Sequence, residues 1–343
     1  MRPTATGAIF ALLATARAIR LGGVSPVEPP SSGTASTAYL SEVGVESESI
    51  WEEQEDGLPP AVVTSDERPI TDLDRYLNAS MRERLNGTAS SASKPKGKKP
   101  VIYFIGDSLI RFQYQTFCEV LTGVYPNIPH ARNDVQNCSS SLGRAVWLLR
   151  TMFDPDAVDF IMSAGEPAPT VVYFDSGLWL LHVHPLRKMT SLMFKHITSY
   201  VHDLQQTFEA YRKAVPDVGL TVMTPYSVDE RKYHSPWYAL FELRKRDFAK
   251  ATQPCITDTI DEFPSEAKDV CWAFWFDRRG SELIRNKVIH TVLNSQDLPG
   301  GPATLIDAWA KSDGHCNEWC KDGRHYLQFA FQTLHELLQK NGY

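Results

Sequence analysis

The sequence has no excess of positive charge. It contains 35 Lys and Arg residues against 41 Asp and Glu residues, which gives a net charge of −6 over 343 residues. A protein that binds nucleic acid needs a basic surface to neutralise phosphates, so the composition argues against a nucleic-acid partner. The one basic run, residues 94–99, is short and contains Pro95 and Gly97. It is typical of a solvated hinge.

Long apolar runs are also missing. The apolar stretch at residues 8–14 is far shorter than the roughly 20 residues that span a bilayer. It follows Arg2 and precedes small residues such as Ala16-Arg17-Ala18, the pattern of a secretory signal. We therefore expect residues 1–21 to be a signal peptide or signal anchor, with membrane contact only through such an anchor. The alternative is a disordered N-terminus that is rich in alanine by chance. The expected location is the secretory pathway, in the Golgi lumen or outside the cell.

Cysteine is infrequent, but the six cysteines are an even number. In an oxidising compartment this favours three disulfide bonds. Many pairings are open, and the most local one is Cys118–Cys138, Cys255–Cys271 and Cys316–Cys320. Glycosylation sequons agree with secretion and begin at Asn78, Asn86 and Asn137.

The composition changes near residue 100. Residues 22–99 are rich in Ser, Pro, Glu, Gly and Thr, and such a segment buries too little apolar surface to offset its ordering entropy. We predict a disordered stem or linker there, with room for a short helix at residues 72–85. Residues 100–343 have the size of one globular domain.

Within that domain, short apolar runs alternate with helical patterns. Buried strands are predicted at residues 101–105, 170–174, 220–223 and 303–306. Helices are predicted at residues 109–121, 189–214, 281–293 and 326–339. The alternation predicts an α/β fold, a three-layer α/β/α sandwich with a mainly parallel sheet. Functional residues in such sheets follow the carboxyl ends of strands.

Ser108 is placed in that way. The tripeptide Gly106-Asp107-Ser108 comes directly after the first predicted strand and before a helix. A serine hydroxyl is a weak nucleophile unless an imidazole takes its proton and a carboxylate orients the imidazole. Asp322-Gly323-Arg324-His325, near the C-terminus, supplies both groups. The alternative is that Asp107, Ser108 and Asp322 only cap helices.

The segment from Gly106 to Gln113 resembles the GDSL/SGNH hydrolases. It is closest to their PC-esterase branch, which includes the trichome-birefringence-like polysaccharide O-acetyltransferases and has a GDS-x-x-R-x-Q pattern. Residues 174–179 resemble the second motif of that family, and Trp319-Cys320 lies near Asp322 as in its third. Three departures are present: Asp175 replaces an asparagine, Trp319-Cys320 precedes the Asp-x-x-His instead of following it, and the globular part is shorter than in the plant enzymes.

The resemblance implies a role for each matching residue. Ser108 would be the nucleophile, His325 the base and Asp322 its orienting partner. Arg111 and Gly177 would lie on the oxyanion or substrate-binding side. Arg111 lies one helical turn after Ser108, so its guanidinium could reach a developing negative charge, although an ordinary surface arginine is the alternative.

We therefore expect acyl transfer on carbohydrate O-acetyl groups through a Ser108 acyl-enzyme, by an O-acetyltransferase or an acetylesterase. No metal and no cofactor are expected, beyond an acyl donor as co-substrate if the enzyme is a transferase. A catalytically inactive carbohydrate-binding relative is the first alternative. A second is a zinc-stabilised binding domain that uses His315, Cys316, Cys320 and His325. Two features are weaker signals. His182 and His184 could bind a metal, but solvated or substrate-lining histidines are the favoured interpretation. The aromatic run at residues 272–276 could line a sugar cleft, but core packing is favoured.

Overall fold

The computed structural model describes residues 70–87, 99–128, 134–175, 199–232, 278–320 and 323–343. Strands in these ranges form one sheet with the order β2-β3-β1-β4-β5-β6. They are β1 (Val101–Gly106), β2 (Gln136–Ser140), β3 (Gly143–Leu149), β4 (Val171–Phe174), β5 (Gly219–Met223) and β6 (Thr304–Ile306). Neighbouring strands run parallel except for the β2–β3 pair, which is antiparallel. The predicted mainly parallel sheet is confirmed.

The described ranges contain α-helices that pack in two groups. They are α1 (Asp72–Asn86), α2 (Ser108–Thr122), α3 (Ala157–Ser163), α4 (Tyr200–Ala214), α5 (Arg278–Leu293), α6 (Ala308–Ser312), α7 (Cys316–Trp319) and α8 (Ala330–Lys340). Helices α1, α2 and α8 contact one another, and α4 contacts both α3 and α5. Because crossovers between parallel strands are right-handed, the two groups cover opposite faces of the sheet. The result is the predicted α/β/α sandwich.

The order of the strands places a topological switch point beside β1. The chain leaves β1 through α2 to β3 on one side, and later returns through α3 to β4 on the other side. The two crossovers therefore diverge at the carboxyl ends of β1 and β4. Ligands of open α/β sheets bind at such a switch point.

Strand β1 and helix α2, which flank the Ser108 turn, are buried because helices cover both faces of the sheet. Strand β1 has a continuous apolar sequence, and Ile102 and Phe104 are fully buried. In α2 nearly every side chain is buried, since the helix lies between the sheet and helices α1 and α8. Burial on most sides fixes the position of this helix.

Helix α1 lies inside the predicted stem and confirms the short helix at residues 72–85. Thr71 caps it, and the Thr71 backbone N–H donates in return to the Asp74 carboxylate at 2.9 Å. Leu77 and Met81 are buried in the core through contacts with α8. The packed structure thus includes residues before 100, while the division into signal, stem and domain stays a prediction.

The structure differs from the predicted elements in three further places. Strands β2 and β3 have no counterpart among the predicted strands. The described part of the helix at 189–214 begins at Tyr200, and residues 189–198 lie outside the described ranges. The helix predicted at 326–339 is a 3₁₀ turn, Leu327–Phe329, followed by α8.

Two of the most local disulfide pairs are present. Cys118–Cys138 links α2 to β2, and Cys316–Cys320 spans α7. Cys255 and Cys271 lie outside the described ranges. None of the helices in those ranges has the length and apolar character required to cross a membrane.

Candidate active site

The turn that carries Ser108 is built by three consecutive residues. Gly106 ends β1 with φ 157°, and a Cβ there would lie 2.6 Å from Ile110 Cγ1 and 2.9 Å from Asp175 Oδ1. Only glycine fits that space. Asp107 caps α2, and its Oδ1 accepts a hydrogen bond from the backbone N–H of Leu109 at 2.8 Å. Ser108 is therefore the first residue of a buried helix, and its side chain is half-buried.

Ser108 and His325 are in contact. The distance from Ser108 Oγ to His325 Nε2 is 2.9 Å, which is within hydrogen-bond reach for a nucleophile and its base. This arrangement leaves Nδ1 on the other side of the imidazole for an orienting group. The structure thus brings together two of the residues that were predicted from motifs at opposite ends of the domain.

The His325 segment, residues 323–326, is positioned by residues distant in the chain. The backbone N–H of Asp229 donates to the carbonyl oxygen of Gly323 at 2.8 Å. Asp229 itself is fixed by Arg231, whose guanidinium hydrogen-bonds to it and lowers the pKa of the carboxyl group. The ring of Phe112, on α2, meets the imidazole of His325 edge to face, with centroids 5.2 Å apart.

A buried polar chain connects the three elements around the site. Gln113 Nε2, on α2, donates to the hydroxyl of Tyr226 at 2.8 Å. The hydroxyl of Thr333, on α8, donates to Gln113 Oε1 at 2.7 Å. Tyr226 belongs to the segment after β5 that also contains Asp229. These hydrogen bonds therefore fix the positions of α2, α8 and the segment that supports His325 relative to one another.

Arg111 is buried, with 3% of its surface exposed, and its guanidinium lies 5.0 Å from the centroid of the Phe112 ring. The surface-arginine alternative is therefore wrong. The side chain starts one turn after Ser108 on the helix that Ser108 begins. A contribution to oxyanion binding stays a prediction.

The other predicted residues either lie outside the described ranges or belong to the zinc alternative. Asp322 and Gly177 lie outside the described ranges, as do His182, His184 and residues 272–276. The zinc alternative loses its thiolate ligands because Cys316 and Cys320 form a disulfide with each other. No group of three metal-binding side chains occurs within the part of the chain that the structure describes.

Asp175 has a place that the sequence did not reveal. It follows β4, and its backbone N–H donates to the carbonyl oxygen of Ile105 at 3.3 Å. Its side chain is buried against the turn of Gly106 and Asp107. Burial raises its pKa well above the usual value for aspartate, and the negative charge of Asp107 raises it further. The sequence showed this residue only as a departure from a motif.

Comparisons with known proteins identify solved structures but no sequence relatives. No family model and no curated protein matches the chain. A Streptococcus pneumonia protein provisionally described as a platelet activating factor is 11% identical, with a TM-score of 0.39, over 79% of this chain and 96% of that one. A catalytic mutant of an acetylxylan esterase from Geobacillus stearothermophilus is 12% identical, with a TM-score of 0.37, over 73% and 97%. A lipase/acylhydrolase from Enterococcus faecalis is 10% identical, with a TM-score of 0.32, over 71% and 94%.

Proposed function

We propose that this protein is a serine-dependent acyl-transfer enzyme that acts on carboxylic esters, with Ser108 as nucleophile and His325 as base. The contact of 2.9 Å between Ser108 Oγ and His325 Nε2 carries the proposal. Both side chains are half-buried, so they are held in place and are accessible to a substrate. If Ser108 and Asp322 only capped helices, nothing would require contact between Ser108 Oγ and His325 Nε2.

The proposed reaction has two steps. His325 Nε2 takes the proton of Ser108 as Oγ attacks the ester carbonyl carbon, and the tetrahedral intermediate then expels the alcohol, which receives that proton. This leaves an acyl group on Ser108. In the second step His325 removes a proton from water or from an acceptor hydroxyl, which attacks the acyl-enzyme. The tetrahedral intermediate then expels Ser108 Oγ, which receives the proton back from His325.

The N-terminus of α2 supports the charge that develops in both steps. The first N–H groups of a helix point outward, and its dipole favours negative charge there. Ser108 is the first residue of α2, and Arg111 adds a cation to the same end of the helix. An oxyanion formed at Ser108 would therefore lie in a favourable field.

For the substrate, we propose O-acetyl groups on carbohydrates. The basis is the resemblance of the Gly106–Gln113 segment to the polysaccharide O-acetyltransferase branch. Within this class, hydrolysis and transfer differ only in whether water or a sugar hydroxyl takes the acyl group.

The test compares the full chain with its Ser108→Ala variant on 4-nitrophenyl acetate and on acetylated and non-acetylated polysaccharides. We expect acetyl release or transfer by the wild-type chain, and a loss on the order of 10⁴–10⁶ in kcat in the variant. Unchanged circular dichroism of the variant controls for folding. Activity that survives in Ser108→Ala would contradict the proposal, and binding without turnover by the wild type would favour the inactive carbohydrate-binding relative.

A further inference from the structure

Two carboxyl side chains are buried next to each other at the turn that carries Ser108. Asp107 is 3% exposed and Asp175 is 6% exposed. Asp175 Oδ1 lies 2.9 Å from the place that a Cβ on Gly106 would occupy. Two ionised carboxylates in such a place would repel each other and would both lack hydration.

The two carboxyl groups have different surroundings. Burial raises the pKa of Asp107. A hydrogen bond from the Leu109 N–H and the positive charges of Arg324 and Arg111 act in the opposite direction and favour its ionised form. Neither oxygen of Asp175 has a hydrogen-bond partner within the described residues. Asp107 thus has groups that stabilise a negative charge, whereas Asp175 has no hydrogen bond that would stabilise one within the described residues.

Burial raises the pKa of both carboxyl groups, but among the described residues only Asp107 has arginine side chains that lower it. Burial raises the pKa of Asp175 well above its usual value, and the charge of Asp107 raises it further. The backbone N–H of Asp107 lowers it in part without reaching hydrogen-bond geometry. Among the described residues, the charge of Asp175 also acts on Tyr173 and Tyr200, and burial raises the pKa of both phenols so that they stay neutral.

We propose that of these two neighbouring carboxyl groups only Asp175 carries a proton at neutral pH, and that loss of this proton stops acyl transfer at Ser108. The proposal rests on the function proposed above. A second negative charge at the Ser108 turn would oppose the oxyanion at the N-terminus of α2. Asp175 would then be a positioning residue that keeps the turn electrostatically suited to the reaction, without touching the substrate.

The first test measures the proton itself and does not depend on activity. The infrared spectrum of the full chain at neutral pH should contain a protonated-carboxyl C=O band that is missing in Asp175→Asn and present in Asp159→Asn, an exposed control on α3. Absence of the band from the wild-type spectrum would overturn the proposal.

Stability against pH gives the same information by linkage. An unfolded aspartate releases its proton near pH ~4, whereas the folded Asp175 would retain it, so unfolding releases a proton at any pH between the two pKa values. The stability of the wild type should therefore fall as pH rises in that window. Relative to Asp175→Asn, its unfolding equilibrium constant should increase about tenfold per pH unit. A pH-independent difference in unfolding free energy between the wild type and Asp175→Asn would contradict a proton on Asp175.

Activity supplies the last readout. With 4-nitrophenyl acetate, kcat/KM of the wild type should fall about tenfold per pH unit above the pKa of Asp175. The ratio of alkaline to neutral kcat/KM should approach one in Asp175→Asn, because an amide cannot ionise. Equal alkaline decline in both chains would refute the link to Ser108. A wild type without any activity would instead refute the proposed function, while the infrared and stability results would still report on the proton.

Discussion

Ser108 and His325 lie within hydrogen-bond distance of each other, yet the chain positions them by different means. Ser108 is placed by its immediate neighbours, since strand β1, Gly106 and the Asp107 cap are consecutive. His325 lies in a short non-helical segment whose contacts come from Asp229 and Phe112, far away in the sequence. The nucleophile is thus a local structure, and its base is a product of tertiary packing. Changes on the two sides should have different consequences.

The largest effect among these predictions is expected at Arg111, within the local region. Arg111→Lys should lower kcat on the order of 10²–10³, because a lysine cannot reproduce the planar guanidinium at an oxyanion. KM should change little, since the loss arises in the chemical step. Steady-state kinetics on 4-nitrophenyl acetate would measure both constants.

Arg75→Lys is the matched control, because the Arg75 side chain on α1 is 69% exposed. It should leave both constants unchanged. A rise in KM alone for Arg111→Lys would make Arg111 a residue that positions the substrate, and normal kinetics would remove it from the reaction.

Gly106→Ala tests whether the local turn tolerates distortion. The added Cβ would meet Ile110 Cγ1 at 2.6 Å and Asp175 Oδ1 at 2.9 Å. We expect a loss of about 1–3 kcal/mol in the free energy of unfolding, together with a fall in kcat. Chemical denaturation and the ester assay would check the two effects.

Gly123→Ala tests the effect of backbone conformation alone, because the added methyl group meets no neighbouring atom. Gly123 ends the same helix with φ 81°, and nothing lies within 4 Å of the position that a Cβ would take there. The substitution should cost only about 1 kcal/mol, with no effect on kcat. Equal losses of kcat in the two variants would show that the tight contact at Gly106 is irrelevant to the site.

A smaller effect than that of Gly106→Ala is expected on the side of the base. Tyr226→Phe removes the acceptor of the Gln113 amide, and we expect a loss of about 1–2 kcal/mol in stability because a buried donor loses its partner. The exposed Tyr76 provides the control Tyr76→Phe, which should be neutral. If Tyr226→Phe reduced kcat more than Gly106→Ala does, the base and not the nucleophile would be the more sensitive side.

The same contrast explains what the sequence could predict of the fold. Strands β1, β4, β5 and β6 were found because buried parallel strands are continuous apolar runs. Strand β2 left no signal, since it is polar and lies at the edge of the sheet with partial exposure. Strand β3 was overlooked although residues 145–149 form an apolar run of the same kind. The break at Phe329, where a 3₁₀ turn becomes α8, does not interrupt the apolar periodicity and so leaves no signal.

The candidate site divides in the same way. Ser108 was recognisable because it follows a strand and precedes a helix, and His325 because it lies three residues after an aspartate. The buried chain of Gln113, Tyr226 and Thr333 was not recognisable, since nothing local relates these residues. The burial of Asp175 also depends on β4 lying beside β1.

Covalent labelling of Ser108 tests the central claim most directly. A fluorophosphonate probe should attach to the wild-type chain once, and peptide mapping by mass spectrometry should place it on Ser108. Labelling should be absent in Ser108→Ala and slowed by orders of magnitude in His325→Ala, because the hydroxyl then retains its proton. Attachment at another residue, or equal labelling rates in His325→Ala and the wild type, would contradict the proposed pairing of nucleophile and base.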